Sequence, residues 1–200
     1  MRIPLRTSLA AGAAAVVFLA SPALAGPPWI SVEYPSNPHH PSTRDALFLV
    51  RAYHHTASLD ASLTGTAEGI VDGRRRTLPL SVVATSLPGV YAVRGEVPRD
   101  GAWVAAITLE TDAKSTATAL VRLARDGTVA SVNVPADRTT DGWMVPRALR
   151  PGELEGAVTE AARIALVERT RAGAGYAAAG LAGVPLVLLV VGVLRARRRG

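Results

Sequence analysis

An antiparallel β-sandwich of the immunoglobulin-like type, with about seven strands, is the all-β fold class that the sequence predicts. Runs of β-branched and aromatic residues recur between residues 26 and 135, and turn signals separate them about every ten residues. Asp-Gly pairs, which favour tight hairpins, stand between adjacent runs. A helical fold is excluded in this region because Gly, Pro and Asp-Gly interrupt it too often for any long helix.

The candidate strands are justified by their patterns and by the turns between them. The first alternates apolar and polar residues, and the second is an apolar, aromatic run typical of a buried strand. Asp72-Gly73 and Asp126-Gly127 each join two runs into a hairpin. A proline turn at 98–101 joins the runs 90–97 and 102–110, which are also expected to pair. In chain order, the candidate runs are 29–34, 45–55, 66–71, 74–82, 90–97, 102–110, 116–123 and 128–134.

Residues 136–171 are predicted to be a linker and an amphipathic stalk helix. The stretch 136–150 is polar and has no strand pattern. Pro151 and Glu153 are typical of a helix start, because proline is tolerated in the first turn and an acid is favoured near the positive end of the helix dipole. We expect the helix to run toward a membrane and not to form a binding surface. Its apolar face consists of Leu154, Val158, Ala161, Ala162 and Ala165.

Residues 1–25 have the three parts of a cleaved signal peptide. Arg2 and Arg6 form a positive start, the apolar run 9–20 is too short to span a bilayer, and Ala23 and Ala25 are the small residues that precede a cleavage site. The alternative is an uncleaved N-terminal anchor. With cleavage, the mature sandwich domain comprises residues 26–135.

A transmembrane helix is predicted at 172–194, a run without any charge that would cover about 34 Å as a helix. A basic tail, 195–200, follows at once and is expected in the cytoplasm. The alternative is a buried core helix, which would need an amphipathic face. The small residues Gly175, Ala179 and Gly183 recur on one side of the run and predict a helix–helix contact in the membrane. The arginines that set the topology are Arg195, Arg197, Arg198 and Arg199.

Together the two signals predict a single-pass protein of the bacterial cytoplasmic membrane with a periplasmic N-terminal domain. The formal net charge of +6 comes entirely from arginines at the two ends, so a basic patch for nucleic acid is not predicted. The absence of cysteine excludes disulfides, thiolate metal sites and a cysteine nucleophile. No motif for hydrolysis, phosphate binding or zinc catalysis is present, so we expect a protein that is not an enzyme.

Two features suggest ligand binding, and each has a simpler explanation. The histidines occur as two adjacent pairs, His39-His40 and His54-His55, and imidazole is a ligand suited to copper or zinc. Adjacent strand residues point to opposite faces, however, and a strand separates the two pairs, so polar loop termini are the better explanation of these histidines. Arg74-Arg75-Arg76 could bind anionic headgroups or could simply protect a hairpin edge from pairing with other strands.

A family resemblance rests on Pro88-Gly89-Val90-Tyr91, on Val97-Pro98 and on Gly101-Ala102-Trp103. With these motifs, residues 27–134 resemble the immunoglobulin-like domains of the YtkA-like and FixH-like group and, more loosely, the periplasmic copper protein CopC. The resemblance implies that Pro88, Gly89, Tyr91, Gly101 and Trp103 form a hairpin packed into the sandwich core. The chain departs from the CopC pattern because Gly26, not histidine, begins the mature chain and only one methionine remains there.

The resemblance also implies a role in copper handling or in the assembly of respiratory membrane complexes. We therefore expect a non-enzymatic binding or structural accessory subunit of a membrane complex, with an electron-transfer complex as the host and another envelope protein as its contact. The alternative is periplasmic copper binding or delivery through the histidine pairs, with copper as the only cofactor considered. A weaker alternative is a membrane-tethered sensor of envelope ligands.

Overall fold

The computed structural model describes residues 27–55, 57–111 and 115–171. The predicted signal peptide, membrane helix, basic tail and helix–helix contact all lie outside these residues. Among the described residues, no helix combines the length and the apolar character that crossing a membrane requires. The described chain is mostly antiparallel β-structure with one helix, as the sequence predicts.

Eight strands follow one another as hydrogen-bonded neighbours in the order β1-β2-β6-β5-β4-β7-β8-β9. The short β3 pairs with β2, and β10 and β11 form a separate hairpin. The helix α1 covers 153–171. The strand bounds are β1 Trp29–Glu33, β2 Phe48–His54, β3 Ala57–Ser58, β4 Ser62–Val71, β5 Arg74–Ala84, β6 Val90–Arg94, β7 Ala102–Glu110, β8 Thr116–Leu123, β9 Val129–Asn133, β10 Ala136–Arg138 and β11 Met144–Pro146.

Strand β5 belongs to two sheets. Its first part pairs with β4, up to Leu80 opposite Gly65, and its last four residues pair with β6. We call β1, β2, β6 and the end of β5 sheet A, and the start of β5 with β4, β7, β8 and β9 sheet B. Pro79 lies where β5 is the edge of sheet B, a place where a strand tolerates a residue without an N–H group.

The main core lies between the two sheets. Phe48, Val50 and Val93 of sheet A face Ile107 and Leu109 of sheet B, and all five side chains are fully buried. Because side chains alternate along a strand, the opposite faces of both sheets must be covered separately or left to solvent. The element that covers the outer face differs between the two sheets.

The outer face of sheet B is covered by α1. Val158 and Ala161 of the helix are buried against Ala102, Val104 and other apolar residues of β7 and β8. The helix predicted as a stalk thus packs along the domain, and its N-terminal residue is Glu153, with Pro151 and Gly152 in a preceding turn.

The outer face of sheet A is covered in part by the loop between β1 and β2. Arg94 donates a hydrogen bond from Nη2 to the carbonyl of Ser42 at 2.8 Å, and Thr43 Oγ1 donates to the carbonyl of Asn37 at 2.7 Å. Leu49, which begins this face on β2, is buried. The loop is therefore held over the end of the sheet at which β2 begins.

Some local predictions are confirmed, and others are wrong. The runs 90–97 and 102–110, predicted as a pair, correspond to β6 and β7, which lie in different sheets and do not pair with each other. Asp72 and Gly73 both have positive φ, as a type I′ turn in the predicted hairpin requires. The sixth and seventh candidate runs, 102–110 and 116–123, are strands with these bounds. The stretch 136–150, predicted to lack strands, instead contains the β10–β11 hairpin, whose three residue pairs are too short to give a sequence pattern.

The indole of Trp103 has a seat made by two glycines. A Cβ added at Gly69 would lie 2.5 Å from Cδ2 and Cε3 of Trp103, and one at Gly101 would lie 2.6 Å from Nε1. Both are closer than ordinary van der Waals contact allows, so the large aromatic side chain fits only because these positions lack side chains. Among the described residues, Trp103 Nε1 is buried without a hydrogen-bond partner.

Gly69→Ala is expected to lower the free energy of unfolding by about 1–3 kcal/mol, because the new methyl group overpacks the core against Trp103. Urea unfolding of the full chain in detergent, followed by tryptophan fluorescence, measures this loss. The matched control is Gly156→Ala, since a Cβ at this position of α1 meets nothing within 4 Å. That control should leave stability unchanged or raise it by up to about 1 kcal/mol. Equal stability of the two variants would contradict a steric requirement for glycine at residue 69 beside Trp103.

Candidate interaction surfaces and predicted site residues

The two histidine pairs lie at opposite ends of β2. His39 and His40 are exposed in the loop before the strand, where Nδ1 of His40 lies 2.8 Å from Ser42 Oγ. His54 and His55 lie where β2 ends, with ring centroids 4.4 Å apart at an angle of 83°. The seven residues of β2 separate the two pairs by about 20 Å. The hydrogen bond from Arg94 to Ser42 holds the loop that contains His39 and His40 at the start of β2. The structure therefore does not bring the four imidazoles together.

Metal ligands are not gathered elsewhere in the described ranges either. Among residues 27–55, 57–111 and 115–171, no group of three or more His, Cys, Asp or Glu side chains is placed to hold a metal ion. A site that used both histidine pairs would need a rearrangement of the β1–β2 loop. Each pair on its own would supply at most two imidazoles.

The three arginines after the Asp72-Gly73 turn divide between the two faces of β5. Arg75 donates from Nε to Glu68 Oε2 at 2.7 Å, across the hairpin on the outer face of sheet B. Arg74 and Arg76 lie on the other face of the strand and are exposed. The arginine run is thus partly an ion pair of the hairpin and partly free for contact with an external anion.

Of the residues of the family motif, Tyr91, Gly101 and Trp103 are buried. The hairpin that the resemblance implies is not formed, because β6 pairs with β2 and β5 whereas β7 pairs with β4 and β8. The tyrosine has a further role. Tyr91 is buried, accepts a hydrogen bond from the backbone N–H of Ala61 at 3.0 Å, and has its hydroxyl 3.2 Å from Asp60 Oδ1. Burial raises the pKa of the Tyr91 phenol. The hydroxyl fixes the chain segment before β4 against β6.

The two glycines of the motif are required by the backbone. Gly89 has a φ of 69°, and a Cβ at this position would lie 2.7 Å from the carbonyl oxygen of Ala52. Pro88 precedes it in the exposed turn, and Gly101 forms part of the Trp103 seat. Gly89 and Gly101 therefore serve the fold at these two positions.

The outer face of sheet A carries exposed apolar side chains beside the ion pair of Arg51 with Glu33. Trp29, on the outer face of β1, is 37% exposed and lies opposite Tyr53 of β2. Val83 of β5 is 41% exposed on the same face, and Leu87 is exposed in the loop that follows. We call Trp29, Tyr53, Val83 and Leu87 the open face. Sequence analysis missed it, because an alternating strand does not reveal which of its faces another element covers.

A second feature that sequence analysis missed is an ion-pair network at the start of α1. Arg147 donates from both terminal nitrogens to Glu153, at 2.6 and 2.8 Å, and from Nε to Asp137 at 3.1 Å. Arg150 donates to the same Asp137 and, through its backbone N–H, to Glu153. These hydrogen bonds lower the pKa of Glu153 to about 2, with the bonds from Arg147 as the largest cause. The network joins the β10–β11 hairpin to the helix.

Comparisons with known proteins identify no class or family for this fold and these surfaces. No family model, no curated protein and no solved structure matches the chain.

The Arg147–Glu153 pair predicts a dependence of stability on pH. Because the folded-state pKa of Glu153 lies below its unfolded value, its contribution is complete above about pH 4.5. It is lost as the pH falls to about 2. In Glu153→Gln, thermal unfolding measured by circular dichroism should lose part of the acid sensitivity between these pH values.

The control for this prediction is Glu155→Gln, which removes an exposed carboxylate from the same helix. The control should keep the acid dependence of the unaltered protein. Identical pH profiles for the two variants, differing from the unaltered protein by the same amount, would contradict a specific contribution of Glu153.

Proposed function

We propose that this chain is a non-enzymatic accessory subunit, held in the bacterial cytoplasmic membrane, whose immunoglobulin-like sandwich binds another envelope protein on the periplasmic side. One observation carries the proposal. The helix α1 packs against sheet B as far as Ala165, and its last turn is held by a hydrogen bond from Arg169 to the carbonyl of Asp100. The helix extends to residue 171, and the uncharged run 172–194 of the sequence begins with the next residue. The proposed anchor therefore begins directly after a helix that is fixed to the domain.

This arrangement favours a protein that presents a surface at a fixed place over one that acts in solution. Backbone segments packed against a core cost less entropy to hold in position than free linkers do. A domain fixed in this way can bind a neighbouring membrane protein with little further loss of freedom. A respiratory or electron-transfer complex is the proposed host, on the family resemblance.

The open face is the surface we assign to this partner. Sheet B is already covered on its outside by α1, whereas the open face of sheet A carries a tryptophan and aliphatic side chains in contact with solvent. Tryptophan is among the side chains that contribute most to protein–protein binding, because it buries a large area at a low entropic cost. The partner is expected to offer an apolar surface with a polar rim.

Mild detergent extraction of the tagged full chain should recover the host complex, and Val83→Arg on the open face should abolish this recovery. A charge buried without a partner in an apolar interface costs enough to weaken binding at least tenfold, about 1.4 kcal/mol. Co-purification measured by mass spectrometry checks the effect. The matched control is Val132→Arg on β9, because Val132 is 42% exposed and Val83 is 41% exposed. Loss of recovery in both variants, or in neither, would contradict the assigned face.

Copper binding through the histidine pairs is the competing proposal, and a titration with Cu²⁺ separates the two. The accessory-subunit proposal expects no binding of the full chain tighter than about micromolar, because the pairs are far apart and two imidazoles make an incomplete site. Isothermal titration calorimetry measures the affinity. Tight binding that disappears when all four histidines are replaced by alanine would support copper delivery instead.

A further inference from the structure

We propose that the end of the sandwich at which α1 terminates lies on the membrane surface and contacts anionic phospholipid headgroups through its loop arginines. This inference rests on the proposed membrane anchoring. It adds an orientation for the domain and a chemical class of ligand, neither of which the anchoring itself requires.

Strand register shows which loops share that end. Ile70 lies opposite Ala102, and Trp103 lies opposite Leu123, so the turn 72–73, the loop 95–101 and the loop 124–128 extend from the same end of sheet B. Arg169, in the last turn of α1, donates a hydrogen bond from Nη2 to the carbonyl of Asp100 at 2.9 Å. We call these three loops, the first three residues of β5 and the last turn of α1 the proximal end.

The length of the proposed anchor leaves little room between the proximal end and the bilayer. A hydrocarbon core about 30 Å thick needs about 20 helical residues, and the uncharged run after residue 171 has 23. The chain therefore has at most a few residues between the described helix and the headgroup region. Since Arg169 ties that helix to the loop 95–101, the loops must approach the headgroups together with it.

Charge is distributed unequally between the two ends of the domain. Among the described residues of the far end, the five acids Asp60, Glu110, Asp137, Asp141 and Glu153 outnumber the three arginines Arg138, Arg147 and Arg150. At the proximal end, besides Arg75, which pairs with Glu68, six exposed arginines lie beside the five acids Asp72, Glu96, Asp100, Asp126 and Glu168, an excess of one. The exposed arginines there are Arg74, Arg76, Arg99, Arg125, Arg169 and Arg171.

This polarity favours one orientation on an anionic bilayer. Each arginine near such a surface contributes about 1 kcal/mol, and carboxylates are repelled from it, so the proximal end is attracted and the far end is not. Guanidinium groups also form paired hydrogen bonds with phosphate oxygens, and their long side chains reach the interface from some distance. Arg75 pairs with Glu68 on one face of β5. Arg74 and Arg76 lie on the opposite face and are exposed, so their guanidinium groups are available for such contacts.

The absence of cysteine makes the orientation measurable with single spin labels. One label is placed by Pro98→Cys in the proximal loop 95–101, and its matched control by Ser86→Cys in the loop between β5 and β6 at the far end; both residues are exposed. The full chain is reconstituted in vesicles of phosphatidylglycerol and phosphatidylcholine that contain a nickel-chelating lipid. Relaxation of the label by headgroup-bound nickel is then measured by electron paramagnetic resonance.

We expect the relaxation at residue 98 to be enhanced several-fold over that at residue 86, because β7 alone places about 30 Å between the two ends. Arg76→Glu should reduce the enhancement, and so should replacing the phosphatidylglycerol by phosphatidylcholine while the nickel-chelating lipid is kept. Arg138→Glu, which changes an exposed arginine at the far end, should not. A label placed by Thr170→Cys, at an exposed uncharged residue of the last turn of α1, gives a second proximal position if Pro98→Cys does not fold.

Two different failures can be told apart. If the protein stays in the vesicles after an alkaline wash but the two labels relax equally, the orientation is wrong and the membrane anchoring stands. If only the effect of Arg76→Glu and of the anionic lipid is missing, the assignment of anionic headgroups is wrong. If the alkaline wash removes the protein, the proposed anchoring fails, and the orientation that rests on it fails too.

Discussion

Strand β7 is apolar on both faces, and the need to bury both is the constraint on which the rest of the structure depends. Trp103 and Ile107 point into the space between the sheets, while Ala102 and Val104 point outward. One face can be covered by sheet A, but the other requires an element from outside the sandwich. The helix α1 supplies it, and because α1 must lie along β7, the end of the domain at which α1 terminates is fixed as well.

The local parts of the fold could be predicted from the sequence because their causes are local. The hairpin at Asp72-Gly73 depends on two residues that accept positive φ, and both are visible in the sequence. The extents of β7 and β8 follow from apolar runs bounded by turn residues. The distance between the histidine pairs could likewise be anticipated from the length of the strand between them.

The remaining features depend on contacts between residues far apart in the chain. An amphipathic pattern shows that α1 has a face to bury, but not that β7 lies beneath it. Nothing in the run 74–84 indicates that its last four residues pair with β6 instead of β4. The Arg147 network joins side chains whose spacing has no period, and the open face exists only because no other element covers it. Such features arise from the tertiary arrangement and leave no mark in a single sequence.

The passage of β5 through both sheets has a consequence for how the domain folds. Since one continuous backbone supplies an edge to each sheet, neither sheet can separate from the core without pulling on the other. The pairing of β2 with β6 also joins segments about forty residues apart, so neither half forms from neighbouring segments alone. The domain should therefore lose its structure in a single cooperative step, in which the most protected amides of both sheets have the same free energy of opening in native-state hydrogen exchange.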